Sequence, residues 1–259
     1  MQKNRKNVCD LRVSQNFLTS AYTINKIVDI SKINRGDSVI EIGPGKGHIT
    51  RALAEKCAGI TGIELDEKLC SALKQKFAAN QNVKIIHADF LTWKLPACDY
   101  KIFANIPFSV TTDIVKKIFL CQNSPSDIWL IMQKGAAKRF LGLPSDNIWS
   151  SVIKSGYSGK IKFYFRREDF HPMPSVDTVL VNFSKKINPD ISAFNQKIAF
   201  EKFLRRCIEK GEIKKLFSKN QLKKAFAAAN ITGDMRTAEI KYVQWLCLFR
   251  SYCYFKNIN

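Results

Sequence analysis

Acidic residues are few in this sequence beside its basic ones. In 259 residues, 22 Asp and Glu stand against 42 Lys and Arg, a formal charge of +20 with a pI near 9.7. A chain so short of acids gathers polyanions, nucleic acid first among them. An anionic membrane surface is the competing partner. The sequence has no apolar run of membrane-spanning length and no lipidation motif, so no membrane role is expected. Histidine is scarce too. His48, His87 and His171 lie apart from one another and from eight cysteines that form no C-x-x-C pair, so no metal centre is expected. Most of the cysteines sit in apolar contexts, as small buried hydrophobes of a reducing compartment do. No hydrophobic signal core follows the basic start, and a cytoplasmic protein is expected. Also missing are a Ser/His/Asp or Cys/His constellation, internal repeats and low-complexity tracts.

What is present begins with 46% hydrophobic residues, enough for a sizeable core. A basic arm with Lys3, Arg5, Lys6 and Arg12 leads to Ser14-Gln15-Asn16-Phe17-Leu18. Thr19 or Ser20 then caps a predicted helix through Ile24, Ile27, Val28 and Ile30. A strand over Ser38–Ile42 runs into Gly43-Pro44-Gly45-Lys46-Gly47 and a helix from His48 to about Lys56. Strand, glycine loop, helix is the setting in which a Gly-x-Gly pair lets the backbone approach a ligand. Lys46 lacks the following Ser or Thr of a P-loop.

The second strand, Gly59–Leu65, carries Glu64, 21 residues beyond Gly43 and suited to ribose hydroxyls. A helix over Glu67–Ala79 leads to the third strand, Val83–His87, followed by Asp89. That carboxylate suits a cofactor's adenine amino group, with Phe90 or Leu65 packing on the ring. Alone, each acid reads as a loop carboxylate; three successive strand tips with Gly-x-Gly, Glu and Asp do not.

The fourth strand, Tyr100–Ala104, ends in Asn105-Ile106-Pro107-Phe108. Proline removes a ladder donor and turns the chain away at the strand's carboxyl end, where α/β sheets hold ligands. One reading is a strand-ending turn with a satisfied asparagine. The other is chemistry on an exocyclic amine, whose lone pair is delocalised into its ring. The Asn105 side-chain oxygen and the Ile106 carbonyl would accept its two N–H bonds and draw the nitrogen towards tetrahedral geometry, with Phe108 stacking on the base. Hydride-transfer folds have no need of Asn-Ile-Pro-Phe. Methylation of an amino nitrogen with S-adenosylmethionine uses all four tips and requires neither metal nor nucleophile.

Further on, helices are expected over about 111–120 and through Lys134, Lys138 and Arg139, with a strand over Asp127–Met132 between them. Another helix carries Trp149, and strands over Lys160–Phe165 and Asp177–Phe183 flank a proline-fixed loop. Phe170 in that loop either packs or forms the second wall of a slot opposite Phe108, gripping a base swung out of its stack. Past a polar linker at 184–190 the sequence reads as helices only. Residues 184–259 hold 16 Lys and Arg against 6 Asp and Glu, half the net charge in under a third of the length. Arg205, Arg206, Lys210, Lys214, Lys215, Lys219, Lys223 and Lys224 crowd one region, which favours phosphate contacts over a merely solvated face. Phe226, Trp245, Leu246, Leu248 and Phe249 read as core.

With these motifs in this order, and Phe170-His171-Pro172-x-Pro174 after them, the sequence resembles the erythromycin-resistance (Erm) rRNA adenine N6-methyltransferases over nearly its whole length. The resemblance implies transfer of one or two methyl groups to N6 of a single adenine in 23S rRNA, and so macrolide, lincosamide and streptogramin B resistance. It implies that Asn16, Leu18, Gly43, Gly45, Glu64, Leu65, Asp89, Phe90 and Asn105 hold S-adenosylmethionine. Asn105, Ile106, Pro107 and Phe108 would form the catalytic turn, with Phe108 and Phe170 on the target base. That family often has tyrosine where Phe108 stands. The small-subunit dimethyladenosine transferases share most motifs but usually carry Asn-Leu-Pro-Tyr and a glycine before Gln-Asn-Phe, so Ile106 and Ser14 favour the resistance group. A non-catalytic RNA-binding relative is the reading from another class; intact Asn105, Glu64 and Asp89 argue against it. The expected architecture is α/β. It comprises a Rossmann-like sheet of seven mostly parallel strands over residues 1–183, with 1–13 as the basic arm, and a small all-helical RNA-binding domain over 184–259. A monomer acting on 23S rRNA, free or in pre-50S particles, without metal, is expected.

Overall fold

The computed structural model describes residues 16–232 and 239–258. The basic arm, Ser14 and Gln15 lie outside the described residues. The chain divides into two compact units. One takes in the described residues to Ala137 with Gly159–Lys185; the other takes in Lys138–Ser158 with the described residues from Lys186 onward.

The first unit is built on a seven-stranded sheet. Its strands are β2 (Ser38–Ile42), β3 (Gly59–Glu64), β4 (Val83–His87), β5 (Lys101–Asn105), β6 (Asp127–Gln133), β7 (Tyr157–Tyr164) and β9 (Thr178–Lys185). Their order is β4-β3-β2-β5-β6-β9-β7. The pairs β2–β3, β2–β5, β3–β4 and β5–β6 are parallel, and β9 runs antiparallel to β6. Chain order steps outward from β2 in one direction through β3 and β4, then returns to its other side with β5. The crevice beyond the carboxyl ends of β2 and β5 is therefore the topological switch point, where such sheets bind ligands. The central strands are almost wholly apolar because both faces are covered.

One face packs on helices α1 (Ala21–Ser31) and α2 (His48–Ala54). Ile27 and Leu53 meet Val39, Phe103, Trp129 and Leu180 in a single cluster. Ser20 caps α1 by accepting from the Thr23 amide at 3.3 Å. Asp66 caps α3 (Glu67–Lys76) by accepting from the Lys68 and Leu69 amides. On the other face, Phe119 at the end of α4 (Thr111–Phe119) meets Phe183 edge-on at 5.2 Å.

The strand and helix order follows the sequence expectation, with shifted ends. The helix expected to reach Lys56 stops at Ala54, and that expected to reach Ala79 stops at Lys76. The fourth strand starts one residue late and runs through Asn105, which pairs with Ile131 as the last rung. Unanticipated was a two-residue strand, β1 (Phe17–Leu18), pairing antiparallel with β8 (Phe170–His171). It ties the first motif to the proline loop.

The second unit contains α6 (Ile148–Gly156), α7 (Phe194–Ile208), α8 (Ile213–Leu216), α9 (Lys219–Ala228) and α10 (Tyr242–Lys256). Helix α5 (Lys134–Leu141) crosses the boundary between the units. Trp245, Leu246, Leu248 and Phe249 are buried, and Phe203 meets Trp245 edge-on at 6.4 Å, so these side chains are core as expected, whereas Phe226, expected with them, is only half-buried. Residues 138–158, read from sequence as part of the first domain, group with these helices.

Candidate functional site

A glycine loop, two acids and the Asn-Ile-Pro-Phe turn converge on the carboxyl ends of β2, β3, β4 and β5. Gly43, Gly45 and Gly47 have φ of 65°, 58° and 74°, the left-handed region that L side chains rarely adopt. At Gly45 space is short as well, because a Cβ would lie 2.6 Å from Cε1 of Phe17. The loop thus presents bare backbone at the strand tip, a cradle that side chains would fill.

Glu64 is 2% exposed and ties the loop to the next strand tip. One carboxylate oxygen accepts the Gly45 amide and the other the Asp66 amide, each at 3.0 Å. A carboxylate has about four lone-pair sites, so acceptor capacity remains for hydroxyls. Burial raises its pKa from the ordinary carboxylate value, against the pull of these amide bonds. Asp89 is half-buried, and one of its oxygens accepts the Leu91 amide at 2.8 Å. Phe90 is buried with the Lys117 ammonium 4.9 Å from its ring, and Leu65 is half-buried.

The Asn105 amide nitrogen donates to the Asn16 carbonyl at 2.8 Å, which leaves the side-chain oxygen as the end with acceptor capacity. Ile106 is buried and anchored by its amide to the Ile131 carbonyl at 3.0 Å, while its own carbonyl accepts nothing among the described residues. Pro107 carries the chain into a short 3-10 turn, Phe108–Val110, none of whose residues is buried. Asn16, Phe17, Gly43, Asn105, Ile106, Pro107, Phe108, Phe170 and Thr178 line one cleft of ≈ 40 Å³. Phe108 is half-buried in its wall.

Two expected positions differ from a simple ligand-facing picture. Leu18 is 2% exposed within the α1 core, so its side chain faces the interior. Phe170 is 3% exposed, packing edge-on to Phe165 at 5.3 Å while forming one side of the cleft; packing and lining are the same fact here. Phe17 and Thr178 were missed as lining residues. Thr178 is buried, and its hydroxyl has no partner among the described residues. Only its place at the start of the strand after the proline loop hinted at it.

Beneath the loop, Glu41 is fully buried, and one of its oxygens lacks a partner among the described residues. Burial raises its pKa to about 8, and the Glu64 carboxylate adds to the rise. An acid with a raised folded pKa contributes no penalty below its unfolded pKa and a growing one as pH rises towards the folded value. Between pH 5 and 8, Glu41→Gln is therefore expected to gain stability relative to the parent by up to about 1.4 kcal/mol per pH unit, read from denaturant midpoints.

A strand-tip glycine cradle, a buried carboxylate with acceptor capacity to spare and an amide at the switch point are the parts that α/β transferases offer a nucleoside cofactor. Among the described residues no group of three or more His, Cys, Asp or Glu is placed to hold a metal ion, and no helix is long and apolar enough to cross a membrane.

Residues 7–253 match the family described as ribosomal RNA adenine dimethylase. The chain is 37% identical to an rRNA adenine N-6-methyltransferase of Limosilactobacillus reuteri, over 98% of this chain and 100% of the relative. It is 35% identical to one of Lysinibacillus sphaericus, over 97% of this chain and all of the relative. A small-subunit methyltransferase A of Mycoplasmopsis pulmonis is 32% identical over 92% of this chain and 96% of that one. Among solved structures, the 23S rRNA methyltransferase ErmE superposes with a TM-score of 0.76 at 23% identity, covering 92% of this chain and 99% of that one. The chain belongs to the rRNA adenine N6-methyltransferase family, and its cofactor is S-adenosylmethionine.

Proposed function

We propose that the protein methylates N6 of a single flipped adenine in 23S rRNA, acting as a monomer in the cytoplasm and conferring macrolide-lincosamide-streptogramin B resistance. The geometry at Asn105 carries the chemical part of this reading. Its nitrogen is held by Asn16, so its oxygen is the acceptor offered to the amine, with the unengaged Ile106 carbonyl beside it. Two acceptors on the two N–H bonds turn the nitrogen lone pair out of conjugation and aim it. Phe108 stacks on the base, and Phe170 backs the slot. Glu64 takes the donor's ribose hydroxyls, Asp89 its adenine amino group, and Leu65 and Phe90 flank that ring. Asn16 and the backbone at Gly43, Gly45 and Leu18 complete the seat. When bound, the donor supplies an activated sulfonium methyl.

Phe108→Ala is expected to lose a base stack of about 1–3 kcal/mol, lowering kcat/KM by about five-fold to about 150-fold while cofactor binding holds. Wild-type kinetics on rRNA would remove Phe108 from the base seat.

Isoleucine at 106 supports the large-subunit target. The small-subunit reading has its own support in the Mycoplasmopsis relative. Primer extension on rRNA from cells expressing the protein separates them. One new stop at a 23S adenine is expected; adjacent stops in 16S rRNA would establish the other.

RNA contact through the carboxyl-terminal helices is narrower than the charge count implies. Arg205 is bound by Glu201 at 2.5 Å and Glu209 at 2.7 Å, and Arg206 by Glu212 at 2.9 Å. Lys215 shares Glu212 at 3.7 Å. Lys210, Lys214, Lys219, Lys223 and Lys224 are exposed and make no ion pair among the described residues, and these are the proposed phosphate contacts.

A further inference from the structure

Strand β7 is the edge of the sheet, and its side chains alternate sharply. Phe163 turns inward beside Phe165, at 5.0 Å, while Lys160, Lys162 and Tyr164 are all exposed on the other face. Neither lysine makes an ion pair among the described residues. Tyr164 is 61% exposed, and no aromatic ring stacks on it among the described residues. The strand runs towards the cleft, since the Phe165 amide donates to the carbonyl of Thr178, a cleft-lining residue, at 3.1 Å. Beside it, Lys134 lies 5.8 Å from the Tyr164 ring and is shared with Asp177 at 3.4 Å.

Alternate residues of a strand are about 6.6 Å apart, comparable to the step between phosphates of an extended nucleic-acid strand. Flipping an adenine also leaves its neighbour without a stacking partner. The geometry points to the outer face of β7 as the track for the RNA strand flanking the target adenine. Lys160 and Lys162 bind successive phosphates, and Tyr164 stacks on the base next to the flipped one through the ring face away from the Lys134 ammonium. This rests on the proposed base flipping and adds a surface to it. Lysines also guard sheet edges against pairing with other chains, and the test separates that role.

The probe is protein-free 23S and 16S rRNA, with binding measured over a salt series and methyl transfer measured in parallel. For Lys160→Gln with Lys162→Gln, the slope of log affinity against log salt is expected to fall by about 1.4, two single-strand contacts at about 0.7 each. Affinity should drop several-fold, with S-adenosylmethionine binding by calorimetry unchanged. Tyr164→Ala is expected to lower kcat/KM about ten-fold, and Tyr164→Phe to restore it. An unchanged salt slope with wild-type turnover in Tyr164→Ala overturns the track. So does self-association of the lysine variant with RNA affinity intact, which assigns the lysines to edge protection. If the parent protein methylates neither RNA yet its binding slope depends on Lys160 and Lys162, the proposed reaction fails and the surface stands.

Discussion

Asn105→Ala is expected to lower kcat by about 10²–10³-fold, the usual cost of removing one preorganised polar group from a reacting centre. The side chain is the last rung of β5, and its orientation is set by the bond from its amide nitrogen to the Asn16 carbonyl. Alanine removes the oxygen proposed to accept from the amine and takes its donor from the Asn16 carbonyl. Ile106 remains anchored through its amide to Ile131, so the turn itself should survive. RNA affinity, set by contacts elsewhere, should stay near that of the parent. Single-turnover methyl transfer at saturating RNA and donor reads the chemical step, and filter binding reads the affinity. Parental turnover would exclude Asn105 from preparing the nitrogen.

Glu64→Ala is expected to weaken S-adenosylmethionine binding by about ten-fold to about 150-fold, since a hydrogen bond to a charged group contributes about 1.5–3 kcal/mol. The carboxylate fixes the glycine loop through the Gly45 amide and turns β3 into α3 through the Asp66 amide. Its loss is thus expected to disturb the cradle as well as the proposed diol contact. Glu64→Gln, which keeps one acceptor oxygen, should recover part of the affinity. Calorimetry with the cofactor alone measures both variants without RNA. Parental affinity in Glu64→Ala would place the ribose elsewhere.

Much of this site could be read from residue order, because each part is local. The glycines follow a β-branched strand, Glu64 and Asp89 end or follow the next two, and Pro107 stops a fourth. Local chemistry also sets the cap at Ser20. What escaped was non-local. The β1–β8 pair joins residues some 150 positions apart through two rungs, too short for any alternation to register. Thr178 and Phe17 reach the cleft only because that pairing and the antiparallel β9 bring them there. Grouping of 138–158 with the helices depends on which core its apolar face joins, which helical periodicity does not encode. The ion pairs that remove Arg205 from the basic cluster were legible. Glu201, Arg205 and Glu209 stand at i, i+4 spacing, where side chains of one helix face meet.

The central claim is that two oxygens at the end of β5 prepare an adenine N6 for a sulfonium methyl. Nucleoside mass spectrometry of protein-free rRNA, incubated with the protein and S-adenosylmethionine bearing a deuterated methyl group, tests it most directly. Labelled N6-methyladenosine or N6,N6-dimethyladenosine is the result the account predicts. Label on any other nucleoside or ring position, from protein that binds the cofactor normally, would contradict it.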